Sequence, residues 1–306
     1  MGMESKFVWM NGELVPFEKA TLHFLTPALH YGAAVFEGIR SYNTPKGPAI
    51  FRLREHVERL FGSARVFGFR EFPWTVDEVC KAHKDTVRAN GFMDCYVRPL
   101  IYLDGGGWNL NVDNGKPSLA IATWEWGNYL GEEALAKGIR ANISSFTRHH
   151  VNVSMTKAKV SGNYANSFLA KTESERLGFQ EAIMLDPQGF VAECTGENLF
   201  VVRAGKIFTP STAPVLEGIT RSSLAVIAKD LGYDIIEQPI SRDQLYIADE
   251  VFVCGTAAEC IGLSEIDFRT IGNGATGPIT KKIQDVYHEA IRGKAKKYES
   301  WCDYVG

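Results

Sequence analysis

The chain has 306 residues, of which 45% are hydrophobic and 23% are charged, and its formal net charge at pH 7 is -3. This composition is typical of a globular protein long enough for two domains, and the balanced charge gives no reason to expect nucleic acid or an anionic membrane as a partner. No apolar run reaches the length of a membrane span, and the N-terminus lacks the apolar core of a signal peptide. The cysteines include no C-x-x-C pair, which favours reduced thiols in a cytoplasmic protein and no metal site.

Local patterns in the first half predict a hairpin and two helices. Residues 7–10 and 13–16 flank an Asn-Gly pair, the strongest two-residue signal for a β-hairpin. Apolar residues recur at helical spacing over residues 54–67, and Arg59 lies near the middle of this amphipathic helix. A second helix is predicted over residues 75–90.

A strand predicted over residues 95–102 places Tyr96 and Arg98 on one face, because side chains alternate along a strand. The glycine loop at residues 105–110 is not a P-loop, since no Gly-Lys-Ser/Thr follows it. The predicted organisation is an N-terminal α/β domain, a connector and a C-terminal α/β domain, over residues 1–130, 131–137 and 138–306.

The second half alternates predicted strands and helices and contains no internal repeat. Its helices are predicted over residues 165–177, 220–231, 242–247 and 278–292, the first with an apolar side at Phe168, Leu169 and Leu177 and the second capped by Thr220. Its strands are predicted over residues 139–145, 182–185, 190–191, 199–203, 206–209, 235–239 and 250–254. The whole chain therefore predicts a mixed α/β (α+β) fold.

The stretch from Met155 to Ser167 carries two lysines, Lys157 and Lys159, which would point to the same face of an extended segment. A turn-forming Ser-Gly-Asn sequence and a helix follow directly. A lysine held between rigid neighbours suits nucleophilic chemistry, because a nucleophilic amine must be deprotonated and correctly aimed. From position alone, the alternative that both lysines are solvated surface charges stays open, and it is the commoner case.

Two segments of the second half could bind an anion. Ile219 and Thr220 lie at the N-terminus of the helix predicted from residue 220, where their backbone N–H groups and the hydroxyl of Thr220 would face a phosphate. Thr256, Ala257 and Ala258 follow a buried strand, and their small side chains leave the backbone approachable. Simple capping and turn-forming roles explain each segment about equally well.

Glu193 lies between Ala192 and Cys194 next to a predicted strand and is a candidate for a partly buried carboxylate. A buried carboxylate needs a cationic or proton-donating partner, and a protonated pyridine nitrogen would serve. The alternative is a loop carboxylate in water. For Glu197 we favour a local hydrogen bond with Asn198.

A group of aromatic residues and arginines in the first half could form a substrate pocket. Its members are Tyr31, Phe36, Arg40, Tyr96, Arg98 and Tyr129. A phenol beside a guanidinium can hold a carboxylate while aromatic walls hold an apolar chain. The competing interpretation is a core edge with a surface arginine.

Several segments, spread over nearly the whole chain, together resemble one known family. They are HYGAAVFEGIR, CYVRPLIY, AKVSGNYANS, GFVAECTGENLF, LEGITRSSL and ADEVFVCGTAAE. The chain resembles the fold-type IV, pyridoxal-phosphate-dependent aminotransferases, and most closely the branched-chain amino-acid aminotransferases. The resemblance implies two α/β domains with pyridoxal 5′-phosphate (PLP) between them, in an obligate homodimer or a hexamer built of dimers.

The resemblance also assigns roles to residues. It identifies Lys159 rather than Lys157 as the lysine that carries the cofactor, Tyr164 as the partner of the cofactor's phenolic oxygen, and Glu193 as the partner of the pyridine nitrogen. The remaining cofactor-binding residues that it implies are Arg59, Ile219, Thr220 and Thr256 at the phosphate and Leu216 against the ring. The substrate-binding residues that it implies are Tyr31, Phe36, Arg40, Tyr96, Arg98, Tyr129, Ala257 and Ala258.

The implied activity is transfer of the amino group of leucine, isoleucine or valine to 2-oxoglutarate by a ping-pong mechanism. A D-amino-acid transaminase, an (R)-amine transaminase or an aminodeoxychorismate lyase is the alternative within the same fold type. A catalytically silent PLP-binding scaffold protein is the alternative that is not an enzyme. The loop at residues 105–110 does not match the family residue by residue, so the sequence leaves the substrate range open.

Overall fold

The structure, a computed structural model, describes residues 5–105, 110–127 and 131–306. The strands are β1 Phe7–Met10, β2 Glu13–Pro16, β3 Ala34–Phe36, β4 Ile39–Thr44, β5 Gly47–Phe51, β6 Cys95–Asp104, β7 Lys116–Glu125, β8 Ile139–Ile143, β9 Glu181–Leu185, β10 Val191–Cys194, β11 Asn198–Arg203, β12 Lys206–Thr209, β13 Ile235–Glu237, β14 Glu250–Gly255, β15 Glu259–Ile266, β16 Arg269–Thr270 and β17 Cys302–Tyr304. The helices are α1 Pro27–Tyr31, α2 Leu53–Phe67, α3 Val76–Asn90, α4 Gly131–Lys137, α5 Val151–Ser154, α6 Tyr164–Arg176, α7 Ile219–Asp230, α8 Arg242–Tyr246 and α9 Pro278–Ile291.

The chain divides into two compact units that interleave in sequence. Unit 1 consists of Met1–Gly127, Ala158–Asn163 and Glu289–Gly306, and unit 2 consists of Asn128–Lys157 and Tyr164–His288. The predicted C-terminal domain, residues 138–306, therefore loses two segments to unit 1. The cause is long-range pairing, since β17 pairs with β5 and Val160 forms a β-bridge with Val35. The predicted connector, residues 131–137, is helix α4.

Unit 1 is built on an antiparallel sheet covered by α2 and α3. The sheet runs in the order β17-β5-β4-β6-β7-β1-β2, with β3 also paired to β6. Val57 and Leu60 of α2 and Val79 and Val87 of α3 are fully buried in the core of this unit. The predicted hairpin, the two predicted helices and the predicted strand β6 are confirmed.

Unit 2 contains a mixed sheet in the order β10-β9-β8-β15-β14-β11-β12-β13, with β16 on β15. Strand β8 runs parallel to both β9 and β15, and β12 runs parallel to β13. The predicted mixed α/β fold class is confirmed. In the described ranges no helix is both long and apolar enough to cross a membrane.

Helix α6 of unit 2 does not bury the face that its apolar residues predict; it buries the opposite face. Phe168 and Leu169 are 72% and 53% exposed, and Leu177 directly after the helix is 57% exposed. Ala170 is buried with strand β9 residues, and Ser167 and Ser174 are buried on the same side of the helix. Small residues at this spacing let the helix approach the sheet closely, which apolar periodicity does not report.

A buried carboxylate fixes the start of α9. Glu250 accepts hydrogen bonds from the backbone N–H of Ile279 at 2.9 Å and from the N–H and hydroxyl of Thr280, each at 2.7 Å. A negative charge at a helix N-terminus meets otherwise unbonded N–H groups and the positive end of the helix dipole. Glu250 therefore serves as a structural carboxylate of unit 2.

His83 gives unit 1 a predictable response to acid. It is fully buried on α3 and contacts the carbonyl of Val79 through Nδ1 at 2.7 Å. Burial lowers the pKa of His83 from its usual 6.5 to about 4. The unfolded chain therefore binds a proton first as the pH falls, and the free energy of unfolding decreases between about pH 6.5 and pH 4.

Between pH 7 and pH 4.5 we expect the free energy of unfolding of the wild type to fall by about 2 kcal/mol more than that of His83→Gln, because glutamine does not bind a proton. Urea unfolding of both proteins at the two pH values measures this difference. His30→Gln, at an exposed histidine, is the matched control. Identical pH dependence in the wild type and His83→Gln would contradict the assignment.

Candidate active site

Lys159 lies in a short segment whose backbone is tied to two elements of unit 1. Its N–H donates to Ser63 Oγ of α2 at 3.0 Å, and its carbonyl accepts from the N–H of Phe36 of β3 at 3.0 Å. Its Nζ lies 5.0 Å from the centre of the Phe36 ring. The backbone that carries this amine is therefore held on both sides.

The segment that carries Lys157 and Lys159 is not extended, so the premise of the expectation that they share a face is wrong. The chain turns over residues 156–158 after Met155, whose φ is 53°, rather than running extended. Lys157 is exposed in unit 2, where its Nζ donates to the carbonyl of Thr212 and pairs with Glu217 at 2.9 Å. The alternation of side chains along a strand therefore does not apply to these two lysines.

The segment after Lys159 is packed closely against the end of α1. Gly32 ends this helix with a φ of 64°, and a Cβ atom there would lie 2.6 Å from the Cα of Gly162. Only glycine tolerates both the left-handed backbone and this approach. Tyr31, a predicted substrate-binding residue, is the last residue of α1 and is 49% exposed.

Arg59, the predicted phosphate-binding arginine, is held by a buried carboxylate. Its Nε and Nη2 donate to Oε1 and Oε2 of Glu37 at 2.6 and 2.8 Å, and His56 Nδ1 lies 2.8 Å from Oε2. Burial raises the pKa of Glu37, but the charge of Arg59 and the hydrogen bonds from His56 and Arg59 outweigh it and hold that pKa well below its usual range. Burial also lowers the pKa of His56, which favours a neutral imidazole that donates through Nδ1–H.

Tyr96 and Arg98 lie together on one face of β6, as predicted. Arg98 Nη2 donates to the phenol oxygen of Tyr96 at 3.3 Å, and the guanidinium lies 4.7 Å from the ring centre of Phe36 and 5.8 Å from that of Trp124. Gly38 leaves room for the phenol, because a Cβ atom there would lie 2.0 Å from the Tyr96 oxygen. The cluster combines a cation with apolar ring faces.

Arg40 is buried at 2% exposure and is turned toward the backbone. Its Nη2 donates weakly to the carbonyls of Trp126 and Gly127, at 3.5 and 3.4 Å. Arg40 thus anchors the chain at the end of β7. Tyr129 and residues 106–109 of the glycine loop lie outside the described residues.

In unit 2, Glu193 is a buried carboxylate, as the sequence predicts. Its Oε1 accepts from Arg148 Nε at 2.8 Å, and its Oε2 accepts from Asn198 Nδ2 and the N–H of Leu216, each at 3.3 Å. Asn198 also donates to the carbonyl of Leu216 at 3.0 Å. The carboxylate and the backbone of Leu216 are therefore fixed relative to each other.

The helix predicted at Thr220 is present as α7, but it begins at Ile219 and its cap differs. Gly218 is the N-cap, and Thr220 is the buried second residue of the helix, so the predicted Thr220 cap is wrong. A Cβ atom on Gly218 would lie 2.0 Å from Asn198 Oδ1, which explains why a capping side chain has no space there. The N–H groups of Ile219 and Thr220 belong to the first turn, where anions bind.

The other predicted residues of unit 2 lie at element ends. Tyr164 is the half-buried first residue of α6. Thr256 and Ala257 are half-buried in the turn after β14, and Ala258 there is buried.

Sequence reasoning missed the residues that hold the predicted ones in place. They are Glu37, His56, Ser63 and Arg148, with Asn198 considered only as a partner of Glu197. The spacing of His56 and Arg59 by three residues on a predicted helix was a usable signal, because such residues share a face. The carboxylate that they share comes from a distant strand end, which helical spacing does not reveal.

These groups match what PLP requires. A phosphate suits a guanidinium and a helix N-terminus, and a pyridine nitrogen that must stay protonated suits a buried carboxylate. Lys159 and Arg59 belong to unit 1, and Glu193 and the start of α7 belong to unit 2.

Known proteins resemble this chain over most of its length. The family model described as amino-transferase class IV matches residues 34–266. A branched-chain-amino-acid aminotransferase of Pseudomonas aeruginosa is 47% identical over 298 residues, which cover 97% of this chain and 97% of that protein.

Solved structures give the same result. A T.th. branched-chain amino acid aminotransferase with pyridoxamine 5′-phosphate matches with a TM-score of 0.97 and 49% identity over all of both chains. The complex of that enzyme with N-(5′-phosphopyridoxyl)-L-glutamate matches with a TM-score of 0.95 and 47% identity, again over all of both chains. This chain therefore belongs to the class IV aminotransferase family, among the branched-chain-amino-acid aminotransferases.

Proposed function

We propose that this protein uses PLP to transfer the amino group of L-leucine, L-isoleucine or L-valine to 2-oxoglutarate in two alternating half-reactions. The observation that carries the proposal is the placement of Lys159. Its backbone is hydrogen-bonded on one side to β3 and on the other to α2, the helix that also carries Arg59. The glutamate adduct bound by the T.th. enzyme supports glutamate and 2-oxoglutarate as the second substrate pair.

When bound, PLP supplies an electron sink that makes the α-proton of the amino acid removable. In this proposal Lys159 would hold the cofactor at rest, and its Nζ, once released, would accept the α-proton of the amino acid and deliver it to the C4′ carbon of the cofactor. Glu193 holds the pyridine nitrogen, and Tyr164 donates to the phenolic oxygen. The phosphate is bound by Arg59, Ile219, Thr220 and Thr256, and Leu216 packs against the ring.

The same proposal places substrate recognition in the predicted pocket residues. Arg98 and Tyr96, with the backbone of Ala257 and Ala258, bind the substrate carboxylate. The apolar side chain contacts Tyr31, Phe36 and Tyr129, while Arg40 supports the pocket from the buried side. A cation over the Phe36 ring supports this assignment, because one wall then offers both charge and apolar surface.

We further propose a homodimer or a dimer-based hexamer in the cytoplasm. Leu22, Phe24, Leu25 and Leu29 expose between 46% and 69% of their surface in one short stretch, which favours coverage by another copy of the chain. All six cysteines lie in the described part of the chain as free thiols, which fits a reducing compartment.

The absorption spectrum of the purified protein with PLP tests the proposal. We expect a yellow band that L-isoleucine bleaches without any oxo acid, and that 2-oxoglutarate then restores. Bleaching by a D-amino acid or an (R)-amine in place of L-isoleucine would move the protein to another activity of the same fold type. A band that no amine bleaches would favour a silent binding protein.

We predict that Lys159→Ala abolishes transamination, because in this proposal Nζ of Lys159 both holds the cofactor and transfers the proton. Lys157→Ala should keep most of the wild-type rate, since Lys157 contacts Glu217 and backbone carbonyls of unit 2. Steady-state rates with L-leucine and 2-oxoglutarate measure both effects. Wild-type turnover by Lys159→Ala would refute the assignment.

We predict that Arg98→Ala lowers kcat/KM for L-glutamate by about 10- to 100-fold, the value of a hydrogen bond to a charged group. Its dissociation constant for PLP should stay near that of the wild type. Arg70→Ala, at an exposed arginine of unit 1, is the matched control. Equal losses in cofactor binding and in glutamate use would sink the substrate role of Arg98.

A further inference from the structure

We propose that Glu37 is a positioning residue that holds the guanidinium of Arg59 in the orientation needed to bind the cofactor's phosphate. This inference rests on the proposed function, in which Arg59 contacts that phosphate. Glu37 would not touch the cofactor and would act only through Arg59.

The two-point contact between Glu37 and Arg59 fixes the plane of the guanidinium, whereas a single hydrogen bond would fix only one atom. Arg59 donates through both Nε and Nη2 to the two oxygens of Glu37, at 2.6 and 2.8 Å. Two parallel bonds of this kind set the direction of the whole planar guanidinium, including its remaining nitrogen, Nη1. A single bond would leave the group free to rotate.

The carboxylate is itself held at several points. Glu37 is 0% exposed, and its N–H donates to the carbonyl of Pro99 in β6 at 3.1 Å. His56, three residues before Arg59 on α2, holds Oε2 at 2.8 Å. Because Glu37 is held through both its backbone and its side chain, it fixes the position of Arg59 relative to the sheet.

The cofactor lysine is attached to the same two elements. Phe36, the residue before Glu37, donates its N–H to the Lys159 carbonyl at 3.0 Å, and Ser63, one turn after Arg59, accepts from the Lys159 N–H at 3.0 Å. In a cofactor bonded to Lys159, the phosphate would lie at a distance from the lysine that the cofactor's own size sets. The guanidinium must therefore lie at a fixed distance from the lysine, which an unrestrained arginine would not ensure.

Charge and position predict opposite effects of removing this carboxylate. Glu37→Gln deletes a negative charge near the proposed phosphate, so the loss of Coulomb repulsion alone predicts tighter PLP binding. Loss of the two-point contact predicts weaker binding, because Arg59 can then turn away from the phosphate. We expect position to dominate.

The test compares PLP with pyridoxal, which lacks the phosphate, by measuring the dissociation constant of each for the apoprotein. We expect Glu37→Gln to raise the constant for PLP about tenfold or more and to leave that for pyridoxal within about twofold. In an Arg59→Lys background, where no forked contact forms, adding Glu37→Gln should weaken PLP binding little further. Glu250→Gln is the matched control, since it alters a buried carboxylate of unit 2 and should leave the ratio of the two constants unchanged.

Equal weakening of both ligands, or tighter PLP binding, would overturn the positioning role. If Glu37→Gln does not fold, Glu37→Asp keeps the charge but is one methylene too short for both bonds, and unchanged PLP preference in that variant would overturn the proposal equally. A wild-type protein that binds neither ligand would instead refute the proposed function. The two failures are therefore distinguishable.

Discussion

Two backbone hydrogen bonds hold Lys159 between β3 and α2, and the candidate site of unit 1 depends on them. Their partners, Phe36 and Ser63, belong to the same elements that carry Glu37 and Arg59. The lysine segment enters unit 1 only after the chain has left it at residue 127, so its own sequence cannot set its position. Long-range pairing therefore determines where the amine lies relative to the arginine.

Buried carboxylates recur as fixed points of the structure. Glu37 is paired with Arg59 and Glu193 with Arg148, while Glu250 receives the N-terminus of α9. The free-energy cost of desolvating two charges offsets most of the gain from their attraction, so such pairs add little to the free energy of unfolding. What they do provide is direction, because a carboxylate with several donors has one orientation. In both units the ion pair therefore explains placement better than stability.

Sequence patterns predicted the elements whose cause is local. The Asn-Gly hairpin, the helices α2 and α3 and the shared face of Tyr96 and Arg98 follow from turn chemistry and periodicity. The buried face of α6 did not, because small residues pack against the sheet while Phe168 stays exposed. The cap of α7 differed because Asn198, from a distant strand, fills the space beside Gly218. The site residues themselves came from resemblance, and their supports became visible only in the fold.

Arg59 and Arg98 of unit 1 have different surroundings, and the difference suits different ligands. Arg59 is paired with a carboxylate, which fixes the direction of its guanidinium, and in the proposed function this group binds a phosphate whose position does not change. In the described part of the chain, Arg98 instead contacts the rings of Phe36, Tyr96 and Trp124 and a phenol oxygen. Rings stabilise a cation by roughly 0.5–2 kcal/mol without neutralising it, so a substrate carboxylate can still serve as its counter-charge. In the proposed function this site accepts both a branched apolar chain and a dicarboxylate. A wall of rings around Arg98 suits both substrates, whereas a permanent ion pair would leave the guanidinium unavailable to a substrate carboxylate.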